Sequence, residues 1–128
     1  MSNLTQNYIV GLVDGEGSFT VYDRSKSASL KRRALVEPRF YLKLQAKDKA
    51  ILDALKKYFK CGNVYIQKDR RVNHSLCYRY EIMNRADLMN VVIPFFKKNS
   101  LKLPSKKKDF FLFRKIMRLI ERGVHLRK

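Results

Sequence analysis

The chain has 128 residues, with 29 basic and 11 acidic side chains and a formal net charge of +18. That length fits one domain, and a hydrophobic share of 45% is enough to form a core. Because so much like charge destabilises a compact domain, we expect a polyanionic partner: nucleic acid first, an anionic membrane surface second. No apolar run approaches the roughly 20 residues that a membrane-spanning helix needs, so we expect no membrane role.

Cysteine and histidine indicate little chemistry in this chain. Cys61 and Cys77 lack zinc-type spacing and follow no secretory signal, so we expect buried free thiols and an intracellular, reducing location. His74 and His125 are isolated in sequence, and we expect neither to be catalytic.

The spacing of apolar residues predicts the order α-β-β-α-β-β-α-α, which is typical of one α+β domain. Leu4, Tyr8 and Leu12 indicate a first helix over residues 4–13, capped by Asn3 or Thr5. The later predicted segments are strand 18–24, strand 39–45 after Pro38, helix 48–59 stopped by Gly62, strands 63–68 and 76–83, helix 85–97 interrupted near Pro94, and helix 106–122 after a break at Pro104.

Two glycines, Gly11 and Gly15, stand four residues apart on the first helix. This spacing puts two bare backbone patches on one face, where another helix could approach closely. Two alternatives stay open at this point: the glycines accommodate the chain's own core, or Gly15 is a C-cap.

An acidic turn, Asp14-Gly15-Glu16-Gly17, follows the first helix. We expect Glu16 just past the helix C-terminus, where unpaired carbonyls and the negative end of the dipole disfavour a carboxylate without a cation. Hard cations such as Mg²⁺ bind carboxylate and carbonyl oxygens together. The alternative is that Glu16 is an exposed turn residue.

The stretch from Ile9 to Phe19, IVGLVDGEGSF, resembles the motif of the LAGLIDADG homing endonuclease family. Both glycines, both acids and the trailing Ser-Phe are in register with that motif. The resemblance extends over nearly the whole chain through the α-β-β-α-β-β-α order. It implies an α+β homing endonuclease fold with a curved antiparallel sheet that binds double-stranded DNA. It also implies cleavage of one phosphodiester in each strand, leaving short 3′ overhangs.

The same resemblance implies roles for the motif residues. Glu16 would bind metal with help from Gly15, and Val10, Gly11, Asp14 and Gly15 would form the interface between two motif helices. Because one motif occurs here, a second chain would supply the other half, giving a homodimer. Mg²⁺ is the implied cofactor, Mn²⁺ a substitute, and Ca²⁺ an ion that supports binding without cleavage. A mitochondrial or chloroplast location is implied for a natural eukaryotic host.

Polar and basic side chains alternate with apolar ones along the predicted strands, which predicts one sheet face suited to DNA. Arginine on such a face can bind guanine with two hydrogen bonds. The alternative is an ordinary solvated sheet face. The candidate DNA-binding residues are Ser18, Thr20, Tyr22, Arg24, Arg32, Arg33, Arg39, Tyr41, Lys43, Arg70 and Arg79, with Glu81 as a further candidate.

Two further catalytic residues follow from the resemblance. Gln45, at the end of the second strand, matches a glutamine that orders water near the family's active site. Lys106 matches a lysine before the last long helix, and Lys102 and Lys107 remain alternatives within the same basic stretch. Each of these lysines could instead bind phosphate without taking part in catalysis, or be merely solvated.

Two rival functions remain open from the sequence. One is a maturase-like protein that binds intron RNA and assists splicing. The other is a DNA-binding module that no longer cuts, although an intact Glu16 argues against it.

Overall fold

The computed structural model describes residues 4–23, 36–67 and 76–122 of the chain. Its elements follow the predicted order of helices and strands. In chain order they are α1 (Gln6–Glu16), β1 (Gly17–Asp23), β2 (Val36–Gln45), a 3-10 turn (Ala46–Asp48), α2 (Lys49–Phe59), β3 (Asn63–Gln67), β4 (Cys77–Ile82), α3 (Arg85–Asp87), a π-helical turn (Leu88–Val92), α4 (Ile93–Lys98) and α5 (Pro104–Glu121).

The four strands form one antiparallel sheet in the order β1-β2-β4-β3. Helices α1, α2 and α5 pack against strands of this sheet, and the core lies between the two layers. The ring of Phe19 on β1 lies 5.1 Å from that of Phe40 and 5.2 and 5.4 Å from those of Phe110 and Phe113 on α5. This aromatic cluster holds the first strand against the last helix.

The first helix extends further than the sequence predicts. It begins after the N-cap Thr5 and ends at Glu16, so Glu16 is its last residue and does not lie beyond it. Gly15 is helical, and Gly17 is the C-cap, with its N–H donating to the Val13 carbonyl. A Cβ at Gly17 would lie 2.6 Å from Val13 Cγ1, so the tight turn from α1 into β1 requires glycine there.

Two predicted boundaries at proline are wrong. Pro38 lies inside β2, in a part that pairs with β1 alone because pairing with β4 begins at Phe40. A missing N–H is tolerated where a strand has one neighbour. Pro104 is the first residue of α5, a position whose N–H has no intrahelical acceptor, so this helix begins two residues earlier than predicted.

The end of α2 is confirmed at Phe59, although Lys60, with φ of 62°, takes the left-handed cap position. Gly62 follows with φ of 89°, and a Cβ there would lie 2.7 Å from the ring of Tyr80.

Among the described helices, none combines the length and the apolar character that crossing a membrane requires.

Asp14 joins the end of α1 to the start of α5. Its carboxylate is 9% exposed. One oxygen accepts the backbone N–H of Lys102 at 2.9 Å, and the other accepts those of Lys102 and Leu103 at 3.1 and 3.2 Å. Leu103 is the N-cap of α5. The carboxylate therefore fixes the first turn of α5 against the motif helix.

We expect Asp14→Ala to lower the free energy of unfolding by about 1–3 kcal/mol, because two part-buried N–H groups lose their acceptor. Urea denaturation measures the loss. The matched control is Asp53→Ala, which removes an exposed carboxylate paired with Lys49 at 2.9 Å. Such a pair contributes about 0.3–0.5 kcal/mol, so the control should change little. Equal losses in the two variants would contradict this role of Asp14.

Candidate functional site

The C-terminal end of α1 brings an acidic and a basic side chain together. Glu16 is exposed in the last helical turn. Lys106, in the first turn of α5, donates from Nζ to the carbonyl oxygen of Gly17 at 2.6 Å. The bond joins residues 89 positions apart. The fold therefore places a carboxylate and an ammonium group at the same turn, as the site prediction requires.

The structure separates the three lysine candidates. Lys106 contacts the turn that follows Glu16. Lys102 lines a cavity beside Gly11, and Lys107 lines another beside Phe110, and Gly17 borders neither. This placement favours Lys106 as the lysine of the site, while its catalytic role stays a prediction.

The end of α1 offers the type of donor that a hard divalent cation binds. Glu16 supplies an exposed carboxylate, and the last turn of a helix leaves carbonyl oxygens such as that of Gly15 without intrahelical donors. Among the described residues, no three His, Cys, Asp or Glu side chains gather in a position to bind an ion. Glu16 and Gly15 therefore fit part of a coordination shell.

Gln45 lies at the same end of the sheet as Glu16. Leu42 is the partner of Gly17 in the β1–β2 pairing, and Gln45 stands three residues further along β2. At about 3.3 Å per residue, it projects roughly 10 Å beyond that pair. It is exposed and follows the alternation of the polar face. Gln45 therefore lies at the same end of the sheet as the site. Its role in ordering water stays a prediction.

The two helix glycines have free space beside them within the described part of the chain. A Cβ added at Gly11 or at Gly15 would meet no atom of the described residues within 4 Å. Neither glycine accommodates the chain's own core, and Gly15 is not a C-cap, so both alternatives to a helix interface are wrong. The other predicted interface residues lie inside the chain: Val10 is 5% exposed, and Asp14 binds the start of α5. Gly11 and Gly15 therefore remain as the exposed part of the predicted interface.

The predicted polar face of the sheet exists. Paired residues share a face, and the pairing links Ser18 to Tyr41, Thr20 to Arg39 and Lys43 to Arg79. Among the other candidates, Tyr22 pairs with Glu37 on the same face. Arg24, Arg32, Arg33 and Arg70 lie outside the described residues, as do His74 and His125.

A buried carboxylate organises the centre of this face. Glu81 on β4 is 6% exposed. Its Oε2 accepts from Arg79 at 2.9 Å and from Arg39 at 3.2 Å, and its Oε1 accepts from the Tyr65 hydroxyl at 2.8 Å. Arg39 also donates to Glu37 at 3.0 Å. Arg39 and Arg79, the two described arginines among the six predicted to bind DNA, are therefore paired with carboxylates within the chain.

Each guanidinium group lies over a tyrosine ring. The guanidinium carbon of Arg39 lies 4.3 Å from the ring centroid of Tyr22, and that of Arg79 lies 3.5 Å from the ring centroid of Tyr41. Arg79 also donates to the Tyr22 hydroxyl at 3.4 Å. The side chain of Arg39 is 20% exposed and that of Arg79 is 9% exposed, so Arg39 has the more accessible edge.

These contacts keep the cluster ionised. Burial alone would raise the pKa of Glu81, but the hydrogen bond from Tyr65 and the charges of Arg79 and Arg39 outweigh it and lower the pKa. Burial would likewise lower the pKa of Arg79, but its bond to Tyr22 and the charge of Glu81 raise it. The ionised Glu81 carboxylate therefore stabilises the folded state at pH values above the ordinary pKa of glutamate. This stabilisation is lost as the pH falls through the lowered pKa of the folded state.

Two features of the site were missed from the sequence. Tyr65, which binds Glu81, was not predicted, although Asn63, Tyr65 and Gln67 alternate with apolar residues along β3. The binding of α5 by Asp14 was also missed. Its signal is an acid that follows Leu12 and Val13 directly in an apolar helix, where burial requires a partner.

Proteins of similar sequence and structure identify the family to which this fold belongs. Residues 9–117 match the sequence model of a family described as "LAGLIDADG endonuclease". A "Probable intron-encoded DNA endonuclease 1" of Mycosarcoma maydis is 37% identical over 109 residues, which cover 85% of this chain and 35% of that protein. The chain spans 20% to 35% of the length of three curated relatives that it matches.

Solved structures agree with the sequence match. The homing endonuclease I-TnaI superposes with a TM-score of 0.77 at 36% identity, covering 98% of this chain and 80% of that one. I-SmaMI, solved bound to an uncleaved DNA target in the presence of calcium ions, superposes with a TM-score of 0.82 at 32% identity, covering 98% and 40%. With a family model that covers most of its length and a shared fold, the chain belongs to the LAGLIDADG endonuclease family.

Proposed function

We propose that this chain is half of a site-specific double-stranded DNA endonuclease that hydrolyses one phosphodiester in each strand with a divalent metal ion. The observation that carries the proposal is the exposed Glu16 carboxylate at the end of α1, with the Lys106 ammonium group bound to the carbonyl of the next residue, Gly17. That pair lies at the end of a polar sheet face in a chain of net charge +18. The DNA-bound structure of I-SmaMI supports the same class of substrate.

The sheet has dimensions that suit a DNA groove. The ten residues of β2 span about 33 Å, which is about ten base pairs at roughly 3.4 Å each. Two such sheets related by a two-fold axis would cover about two helical turns. The preferred target is therefore a long site with approximate two-fold symmetry.

In the proposed mechanism, the Glu16 carboxylate and the Gly15 carbonyl would hold the ion, and further oxygen ligands would come from the DNA and from a second subunit. When bound, Mg²⁺, or Mn²⁺ in its place, supplies activation of water and stabilisation of the leaving oxygen. The Lys106 ammonium group gives one of its three hydrogens to Gly17 and has two left for a phosphate oxygen. Gln45, at the sheet end, orients water from its amide.

The second half of the site is proposed to come from a second copy of this chain. Gly11 and Gly15 leave open space on one side of α1, which allows two helices to pack with their backbones close together. The match to I-TnaI covers 80% of that chain, so the two chains are similar in length. This similarity supports our proposal that one subunit contains a single motif. Packing of this kind would bring the two Glu16 residues together at the base of the helix pair.

We expect Glu16→Gln to abolish cleavage while DNA binding persists or tightens, because the change removes an anionic ligand and a charge that repels phosphate. The measurements are cleavage, binding and melting temperature, each in Mg²⁺ and in Ca²⁺. The matched control is Glu121→Gln, the same change on an exposed residue in the last turn of α5. It should leave cleavage intact.

Cleavage by Glu16→Gln at a rate near wild type would refute the metal-binding role, as would full wild-type cleavage in excess EDTA. A loss of cleavage that accompanies unfolding would indicate a structural role instead. Wild-type binding to structured RNA without any DNA cleavage would favour the maturase-like function.

We expect Gly11→Leu to convert a dimer into monomers that bind DNA weakly, because the leucine fills the space that a second helix would occupy. Sedimentation with and without duplex DNA measures the mass. The control is Ala50→Leu, which adds the same side chain at an exposed position of α2. A wild type that stays monomeric in both conditions would overturn the proposed assembly.

A further inference from the structure

The geometry points to Glu81 as a positioning residue for DNA recognition, which holds Arg39 in a fixed orientation to read a base. This inference rests on the proposed function, since it concerns how the polar sheet face discriminates one DNA sequence from another. Glu81 itself is 6% exposed, so it would act through the arginines rather than by contact with DNA.

The four charges of one side-chain cluster on the polar face cancel. Two guanidinium groups, of Arg39 and Arg79, meet two carboxylates, of Glu37 and Glu81, so the cluster is formally neutral in a chain of net charge +18. Attraction to phosphate increases with unpaired positive charge and carries no sequence information. A neutral cluster contributes little to that attraction, so we assign its arginines a role in orientation.

Several contacts orient the guanidinium group of Arg39. Reading guanine requires a guanidinium group to meet two acceptors in one plane. The Tyr22 ring centroid lies 4.3 Å from the guanidinium carbon, Glu81 accepts from Nη1 at 3.2 Å, and Glu37 accepts from Nη2 at 3.0 Å. Both oxygens of Glu81 are occupied, one of them by the Tyr65 hydroxyl, so the carboxylate cannot rotate freely. The exposed part of Arg39 is therefore held in one orientation before any DNA binds.

The test compares Glu81→Gln with the wild type on two duplexes. One is a sequence enriched by the wild type from a randomised library, and the other is a scrambled duplex of the same composition. Discrimination is the ratio of the affinities for the two duplexes, measured without divalent metal. We expect it to fall about tenfold in Glu81→Gln, which is the scale of one lost bidentate arginine contact. Binding to the scrambled duplex should tighten, with a salt slope steeper by about one to two as released arginines reach phosphates.

Two controls separate positioning from charge and from folding. Glu121→Gln changes the net charge equally on α5, away from the sheet, and should keep the wild-type discrimination. Tyr65→Phe removes only the 2.8 Å bond to Glu81 and should lose part of the discrimination at an unchanged salt slope. Tyr58→Phe, an exposed tyrosine on α2, is its matched control.

Unchanged discrimination in folded Glu81→Gln overturns the inference and leaves the proposed endonuclease function intact. A loss of discrimination by Glu81→Gln at an unchanged salt slope also overturns it, because no arginine would then have been released from Glu81. If Glu81→Gln does not fold, the Tyr65→Phe variant is the deciding measurement. The inference is overturned if Tyr65→Phe discriminates between the two duplexes as well as the wild type does. A wild type that prefers no sequence in the library overturns both this inference and the proposed function.

Discussion

The buried carboxylate of Asp14 fixes the relation between the first and the last helix. It accepts the N–H groups of Lys102 and Leu103 immediately before α5. Two turns that are distant in sequence therefore meet, and Lys106 reaches the Gly17 carbonyl. Without the hydrogen bonds of Asp14, Glu16 would still be the last residue of α1. The start of α5, which carries Lys106, would lose its backbone anchor to that helix. The two acids of the motif thus differ in the fold: Asp14 is buried and binds the start of α5, and Glu16 stays exposed, where the proposed metal site needs it.

The fold could be predicted from the sequence because alternation and helical spacing follow from burial on one face. Element order and the polar face of β1 and β2 both depend on that local pattern. The boundaries could not be predicted as well, since they depend on tertiary contacts. α1 continues through Gly15 to Glu16 because Gly17, tightly placed against Val13, makes the turn. Pro38 fits in β2 because β4 is absent beside it there.

The candidate site could be predicted only in part. The motif resemblance identified Glu16 and the region of Lys106, but the choice among three lysines needed the contact to Gly17. The network around Glu81 was beyond prediction because it joins β2, β3 and β4 through the sheet register, which no single strand reveals. Sequence alone presents Arg39 and Arg79 as free positive charges. In the folded sheet they are paired, stacked and oriented.

The central claim is that two copies of this chain cut both strands of one DNA site through Glu16. The most direct measurement is to incubate the protein with a randomised duplex library, with Mg²⁺ or with EDTA, and to sequence the cut ends. The account predicts paired cuts on opposite strands, a short fixed distance apart, at the centre of a consensus with approximate two-fold symmetry, and only with the metal. Cuts without a consensus, cuts that persist in EDTA, or intact DNA in every condition would contradict it.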